Sequence, residues 1–365
     1  MIPYFTLLLI AFVFSYVAKA ETSYELAYGQ NEYVSHNNWA VPAFFIFLWL
    51  MLVCRSIDVG RDLPNYQYSF EKINRLSFAR IFQGDIEVLF ALLNRLIGRL
   101  GGGFQILLTV CATVTIVPIA VLYNENKQHS YLKILIFVNM PLFVMLFSGI
   151  RQSVAIAIGV LAYRQVKKKN VVRFMLTVLL AMGFHESAFM LFPMYPLYYF
   201  RLRKRHLYIV IPAFILVYVF NRPIFSGLLR VMSALGSKHE TVAYSYNGAV
   251  TSLVLFCVFA LFTYIVPDDN KLSEDFIGIR NFLLLTTMLQ CFAPLHTLAM
   301  RMNYYYILFV PLAVSMTLDV PSPKWEQVAY IAEIVLCIFF TAYFVMSIIS
   351  GGSLDTVPYI PFWKL

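Results

Sequence analysis

Charge is what this chain has least of. Asp, Glu, Lys and Arg make up 13% of its 365 residues, against roughly a quarter in ordinary soluble domains, while 60% of the residues are hydrophobic. With a mean hydropathy of +0.72, this composition excludes a soluble globular enzyme. Cysteine offers no chemistry either. Cys54, Cys111, Cys257, Cys291 and Cys337 are odd in number and scattered through apolar runs at no ligand-like spacing, which excludes a disulfide framework and a thiolate metal site. Internal repeats of 20–50 residues are missing, so the chain is not a stacked array. The net charge of +9 comes mostly from loop Lys and Arg. In a chain this apolar it reports topology and anionic headgroups, and no nucleic-acid partner is expected.

What is present is apolar sequence of helix-crossing length along the whole chain. The expected fold is an all-α, polytopic membrane protein with about twelve transmembrane helices of roughly 20 residues or fewer. They fall near residues 2–18, 39–55, 104–123, 132–148, 150–165, 170–185, 187–200, 207–222, 249–266, 280–297, 301–318 and 327–349. The whole of 1–365 is expected to be one integral-membrane domain, with loops at 56–103 and 223–248. The first run ends in Ala18-Lys19-Ala20, a signal-peptide-like cleavage pattern. It lacks a basic leading region, so a retained helix is the expectation.

Short loops set the orientation. Residues 164–173 carry five Lys or Arg and residues 201–205 carry four, so both belong to the cytoplasmic side. Alternation then places the loop 56–103, the turn at His185, the loop 223–248 and both termini outside. The loop 56–103 has basic residues of its own, but residues 86–97 read as an amphipathic helix suited to the membrane surface. Loop 223–248, with Lys238, His239, Glu240 and Tyr246, is expected to be a lid over an external site.

On this topology the unusual polar residues gather on one face. Asp58, Arg61, Asp62 and Tyr66 follow the second span outward. Arg151 and Gln152 open the fifth, His185 and Glu186 end the sixth, and His296 and Arg301 flank a later outer junction. Each has a plainer reading. The arginines can snorkel from helix ends, His185 can pack at a helix break, Glu186 can cap the next helix, Asp62 can hold the turn before Pro64, and Tyr304–Tyr306 can form an interface belt. Jointly they suit something more specific. Guanidinium forks bind diphosphate oxygens in bidentate fashion. A nearby His or carboxylate can take a proton from an attacking hydroxyl, and neutralising a phosphate leaving group is a large catalytic contribution. Together these describe glycosyl transfer from a lipid-diphosphate donor. His185, Asp62 and Glu186 all stand as candidate bases.

At these residues the chain resembles the EpsG-like branch of bacterial polysaccharide polymerases of the Wzy type. The matching pieces are Gly60-Arg61-Asp62 with Tyr66, Glu87-Val-Leu-Phe90, Gly149-Ile-Arg151-Gln152-Ser-Val-Ala155, Phe184-His185-Glu186-Ser187-Ala188, and Arg301 followed by Tyr304–Tyr306. The chain departs from the pattern at Leu63, where that branch often carries an aromatic residue. The resemblance implies a multi-pass protein of the bacterial inner membrane with a membrane-glycosyltransferase (GT-C-like) architecture and an outward-facing site.

The implied activity is polymerisation of undecaprenyl-diphosphate-linked oligosaccharide repeats, for O-antigen, capsule or exopolysaccharide, without metal or other cofactor. The implied partners are the lipid-linked donor and acceptor, membrane lipid, and the pathway's chain-length regulator and flippase. Carried over by motif position, Arg151 and Arg301 bind the donor diphosphate, and His185 sits near the acceptor hydroxyl or the diphosphate. Asp62 joins them in the reaction centre, while Tyr66 and it shape the cavity. Gln152, Arg61, Asp58, Glu186, His296 and Tyr304 complete the expected substrate contacts. The rivals are a flippase or transporter of the same lipid, an O-antigen ligase and a membrane O-acyltransferase. A flippase requires charge through the full membrane depth and inverted repeats, whereas here the middles of the spans are largely apolar.

Overall fold

The computed structural model describes residues 1–27, 39–81, 86–125, 128–234, 248–266, 272–320 and 322–364. Among these there is no strand, and the one isolated β-bridge pairs Arg55 with Pro361. The chain is an all-helical protein in two compact units, residues 1–189 with 331–365, and residues 190–330.

The first unit opens with α1 (Ile2–Ala27) and α2 (Ala40–Cys54), apolar helices packed on each other. The segment after α2, expected as a loop, is largely helical. It holds α3 (Leu63–Arg75), the single turn α4 (Phe78–Ile81) and α5 (Val88–Arg99). In α5 the buried Phe90, Ala91, Asn94 and Ile97 recur at helical spacing along one face. Next come α6 (Phe104–Asn124), α7 (Ser130–Asn139), α8 (Pro141–Ser148), α9 (Ile150–Lys167) and α10 (Val171–Phe184). The expected span 132–148 is two helices bent by 64° at Met140. Pro141 lacks a backbone N–H and pushes Met140 into extended geometry, which ends α7 and seeds α8.

In the second unit, the expected span 187–200 is instead divided into a 3-10 turn over Glu186–Leu191, which begins at the end of the first unit, and a short α11 (Met194–Tyr199). Helix α12 (Leu207–Val219) meets α13 (Asn221–Ala234) at 74°. The first part of the expected loop 223–248 is therefore helix, and its lid residues Lys238, His239, Glu240 and Tyr246 lie outside the described residues. Helices α14 (Gly248–Ile265), α15 (Glu274–Gln290), α16 (Thr297–Ile307) and α17 (Val310–Leu318) complete this unit. Helix α18 (Pro323–Ile349) then runs into the first unit's C-terminal part.

Among the described residues, α6 and most of α18 are each long and apolar enough to cross a membrane alone, and counting each bent pair as one span gives up to four. Shorter apolar helices lie within α1 and α10, at α2 and along most of α14. This is the architecture of a helical membrane protein, with lipid-facing apolar side chains left on the outside, as along α12, where no residue is buried.

The C-terminal segment closes the first unit. Backbone bonds run from Gly60 to the Asp355 carbonyl (3.1 Å), Arg61 to Leu354 (3.0 Å) and Ser56 to Ile360 (2.8 Å). The Tyr4 hydroxyl donates to the Thr356 carbonyl at 2.5 Å, and that of Tyr359 to Met51 at 3.0 Å. This tail braces the loop from Arg55 to Asp62 that leads into α3.

Candidate active site

The first unit brings together residues far apart in sequence around one carboxylate. Glu87 stands at the N-terminal cap of α5, with extended ψ of 138°, so its side chain leaves the helix end rather than running along it. One carboxylate oxygen pairs with the Arg151 guanidinium. The other lies 2.8 Å from His185 Nδ1 and accepts the Glu186 backbone N–H at 3.3 Å. The side chains are half-sheltered, with exposures of 14% for Glu87, 24% for Arg151 and 12% for His185.

Local structure explains each placement. Arg151 lies in the first turn of α9, where Gly149 caps the helix. Its guanidinium carbon sits 5.4 Å from the Tyr66 ring centre and 6.0 Å from that of Phe90, and these two rings meet edge to face at 5.9 Å. Stacked aromatics hold a planar guanidinium in a fixed orientation. His185 is the extended residue that ends α10, with φ −157° and ψ 121°, before the 3-10 turn begins. Its approach to Glu87 depends on Gly183. A Cβ there would fall 2.4 Å from Leu89 Cδ1, so the bare glycine lets α10 close onto α5.

The electrostatics follow from the geometry. Burial by itself raises the Glu87 carboxyl. The His185 hydrogen bond and the nearby charges of Arg151 and His185 outweigh it, and Glu87 is held down at about 2. Glu87 is thus an ionised acceptor at neutral pH, and the His185 nitrogen facing it, Nδ1, is the donor. This is the arrangement in which a carboxylate orients an imidazole for proton transfer.

Other expected residues stand close by in the first unit or serve its frame. The Gln152 amide reaches the buried Ser187 hydroxyl at 3.5 Å. The Asp62 backbone N–H donates to Ser148 Oγ at 3.1 Å, which ties the start of α3 to the end of α8. Gly60 is required there. Its φ is +124°, and a Cβ would lie 2.1 Å from the Phe147 carbonyl oxygen. Asp58 accepts from the Ser56 hydroxyl at 3.1 Å, and Arg61 pairs with Asp355 at 3.1 Å on the exposed surface. Glu186 contributes its backbone N–H to Glu87 and opens the 3-10 turn.

His296, Arg301 and Tyr304 belong to the second unit. His296 caps α16, accepting the Leu298 N–H at 3.0 Å on Nδ1, and its ring lies 5.8 Å from that of Phe225. Arg301 is exposed on the same helix. Tyr304, Tyr305 and Tyr306 are buried inside this unit rather than forming an interface belt, and the Tyr306 hydroxyl donates to the Met190 carbonyl at 2.7 Å.

The residue that sequence reasoning passed over is Glu87. It was visible inside the Glu87-Val-Leu-Phe90 match, but a single carboxylate ahead of an amphipathic helix reads as a helix cap. Its partners lie 64 and 98 positions away.

No curated protein and no solved structure matches the chain. The sequence model of the EpsG family, in contrast, matches residues 38–361, a stretch that holds the Glu87, Arg151 and His185 cluster together with the bracing tail as far as the Arg55–Pro361 bridge. On that match, the chain belongs to the EpsG family.

Proposed function

We propose that this protein polymerises undecaprenyl-diphosphate-linked oligosaccharide repeats on the outer face of the bacterial inner membrane. Membership of the EpsG family supports a polysaccharide polymerase role. The observation that carries the finer reading is the Glu87 carboxylate held between Arg151 and His185. Such a cluster pairs a phosphate-binding cation with an oriented base.

In the proposed reaction, a hydroxyl of the lipid-linked acceptor sugar attacks the anomeric carbon of the growing chain. A new glycosidic C–O bond forms as the bond to the diphosphate breaks, and undecaprenyl diphosphate leaves with the bonding pair. His185 Nε2 takes the hydroxyl proton, and Glu87 stabilises the imidazolium that results. Arg151 neutralises the departing diphosphate, where a guanidinium fork matches the phosphate oxygens. Of the three candidate bases, His185 is favoured because the Glu87 carboxylate orients its ring. Tyr66 sets the guanidinium plane, Gln152 is a substrate contact, and the region of Asp58, Arg61 and Asp62 shapes the approach. Arg301, His296 and Tyr304 are assigned to the same chemistry on motif position or sequence reading alone.

The proposed architecture is GT-C-like, with about twelve crossings and the short apolar helices completing them. The chain-length regulator and flippase of the pathway are its proposed partners.

The test is the surface polysaccharide of a strain lacking the protein, run on a gel. A ladder collapsing to a single repeat on its anchor supports the polymerase. Complete loss of surface sugar, with lipid-linked repeats held on the cytoplasmic face, would mean a flippase, and the roles given to Arg151 and His185 would fall.

A further inference from the structure

A second arginine of the first unit is placed very differently. Arg55 directly follows α2 and is 2% exposed. Its Nε and Nη1 are buried and find no hydrogen-bond partner among the described residues, and no carboxylate there pairs with it. The Phe147 ring lies 5.7 Å from the guanidinium carbon, and the neutral side chains of Tyr4, Tyr359 and Cys111 are polar neighbours. Arginine does not shed its proton in proteins, and a buried charge ordinarily has a counter-charge.

Arg55 also lines a partly open pocket between α2, α6, α8 and the first turn of α9, with about 230 Å³ of non-atom space that includes its open mouth. Thr115, Ser153 and Cys111 share its wall with leucines and an isoleucine. Within that envelope the room left for the centre of an occupant is about that of one water, which is also the scale of a single halide ion. A diphosphate or a sugar is far too large. A water fits but leaves the charge unmet.

We infer that this pocket is a binding site for one small monovalent anion of chloride size, held by the Arg55 fork. The site is distinct from the Glu87 cluster and does not depend on the polymerase reading. Its occupant would sit beside the turn of α9 that carries Ile150 and Ser153, flanking Arg151. The backbone beside Arg55 is closed off by the C-terminal tail, through the Ser56 bond to Ile360 and the bridge to Pro361.

The experiment uses the full chain purified in detergent, in sodium chloride or sodium gluconate at equal ionic strength. Chloride-35 NMR should show saturable line broadening that bromide competes away. The Tm should rise with chloride and level off, as binding to the folded state alone requires. Arg55→Met should lose both responses. Ala112→Leu, which fills the pocket and leaves the arginine in place, should lose them too, so a poorly folding arginine variant does not decide the matter. Linewidths equal to a detergent blank, with the same Tm in both salts, would overturn the site. So would full chloride broadening in well-folded Ala112→Leu protein.

Discussion

Arg151 in the first unit and Arg280 in the second are both drawn into the protein, to different depths and against different neighbours. Arg280 is 0% exposed, with its guanidinium carbon 4.1 Å from the Tyr264 ring centre and 5.8 Å from that of Phe276. Its Nη2 donates to the Leu202 carbonyl at 2.5 Å. Arg151 also lies against two rings, but its charge meets the Glu87 carboxylate, it keeps 24% of its side chain exposed, and a histidine shares the same partner. Arg280, fully buried against two rings and bonded to the Leu202 carbonyl, joins α15 to an earlier segment of the chain. Arg151 is paired with a carboxylate that also meets a histidine, the combination on which the proposed chemistry rests. Burial of an arginine therefore says little about function until its partner is known.

Removing each arginine should separate the two roles. Arg280→Ala leaves a cavity between two rings and strands the Leu202 carbonyl, at an expected cost of about 3–4 kcal/mol in stability. Protein level should fall, and polymer should fall only in proportion, as read by immunoblot beside the polysaccharide gel. Arg151→Ala should do the reverse. The ladder should collapse by about 10²–10³-fold in rate, or ~3–4 kcal/mol of transition-state stabilisation, with protein level nearly intact. Arg151→Lys should recover little, because a point charge does not reproduce the fork. Normal ladders from Arg151→Ala would erase the distinction.

Glu87→Gln tests the third partner. With the charge gone, His185 faces at most a neutral amide oxygen and its imidazolium loses its counter-charge, and polymer formation should drop by about 10–100-fold. His185→Ala should be at least as severe if the imidazole takes the proton. A mild His185→Ala beside a severe Glu87→Gln would move the base assignment away from His185.

The same carboxylate predicts a pH signature. Its folded-state value, about 2, lies below its ordinary 4.5, so its contribution to stability is complete above about pH 4.5 and drains away as pH falls toward 2. The Tm gap between wild type and Glu87→Gln should be flat at neutral pH and narrow below about 4.5. A gap that narrowed on the alkaline side would contradict the ion pair. The smallest effect is expected from Gly183→Ala. Its new Cβ must push the Leu89 side chain aside, costing ~1 kcal/mol and loosening His185 from Glu87. Polymer should shorten modestly, and a larger side chain at 183 should shorten it further.

Much of the fold was legible because hydropathy and helical periodicity are local properties. The apolar run of α6, the amphipathic α5 and the arginine opening α9 could all be read from neighbouring residues. Breaks were harder. Pro141 and Pro223 were in view, but the bends of 64° and 74° near them depend on how each half packs. Tyr304–Tyr306 looked like membrane-interface residues because composition cannot separate a ring facing lipid from one facing a core.

By itself, then, the sequence determined a helical membrane protein, where apolar runs must satisfy their own backbone, and the ordered motifs that mark the EpsG family. Tertiary structure decided which charges meet. Glu87, Arg151 and His185 belong to three helix ends separated by loops of no particular signature. Their contact is made where α10 packs against α5, closely at Gly183, and where the α9 turn places its guanidinium by two rings. The same holds for Arg55, an ordinary helix-end arginine in sequence, whose guanidinium becomes a buried charge beside a pocket only when α6, α8 and α9 pack around it. Pairing of distant charges is a property of packing, and no local pattern encodes it.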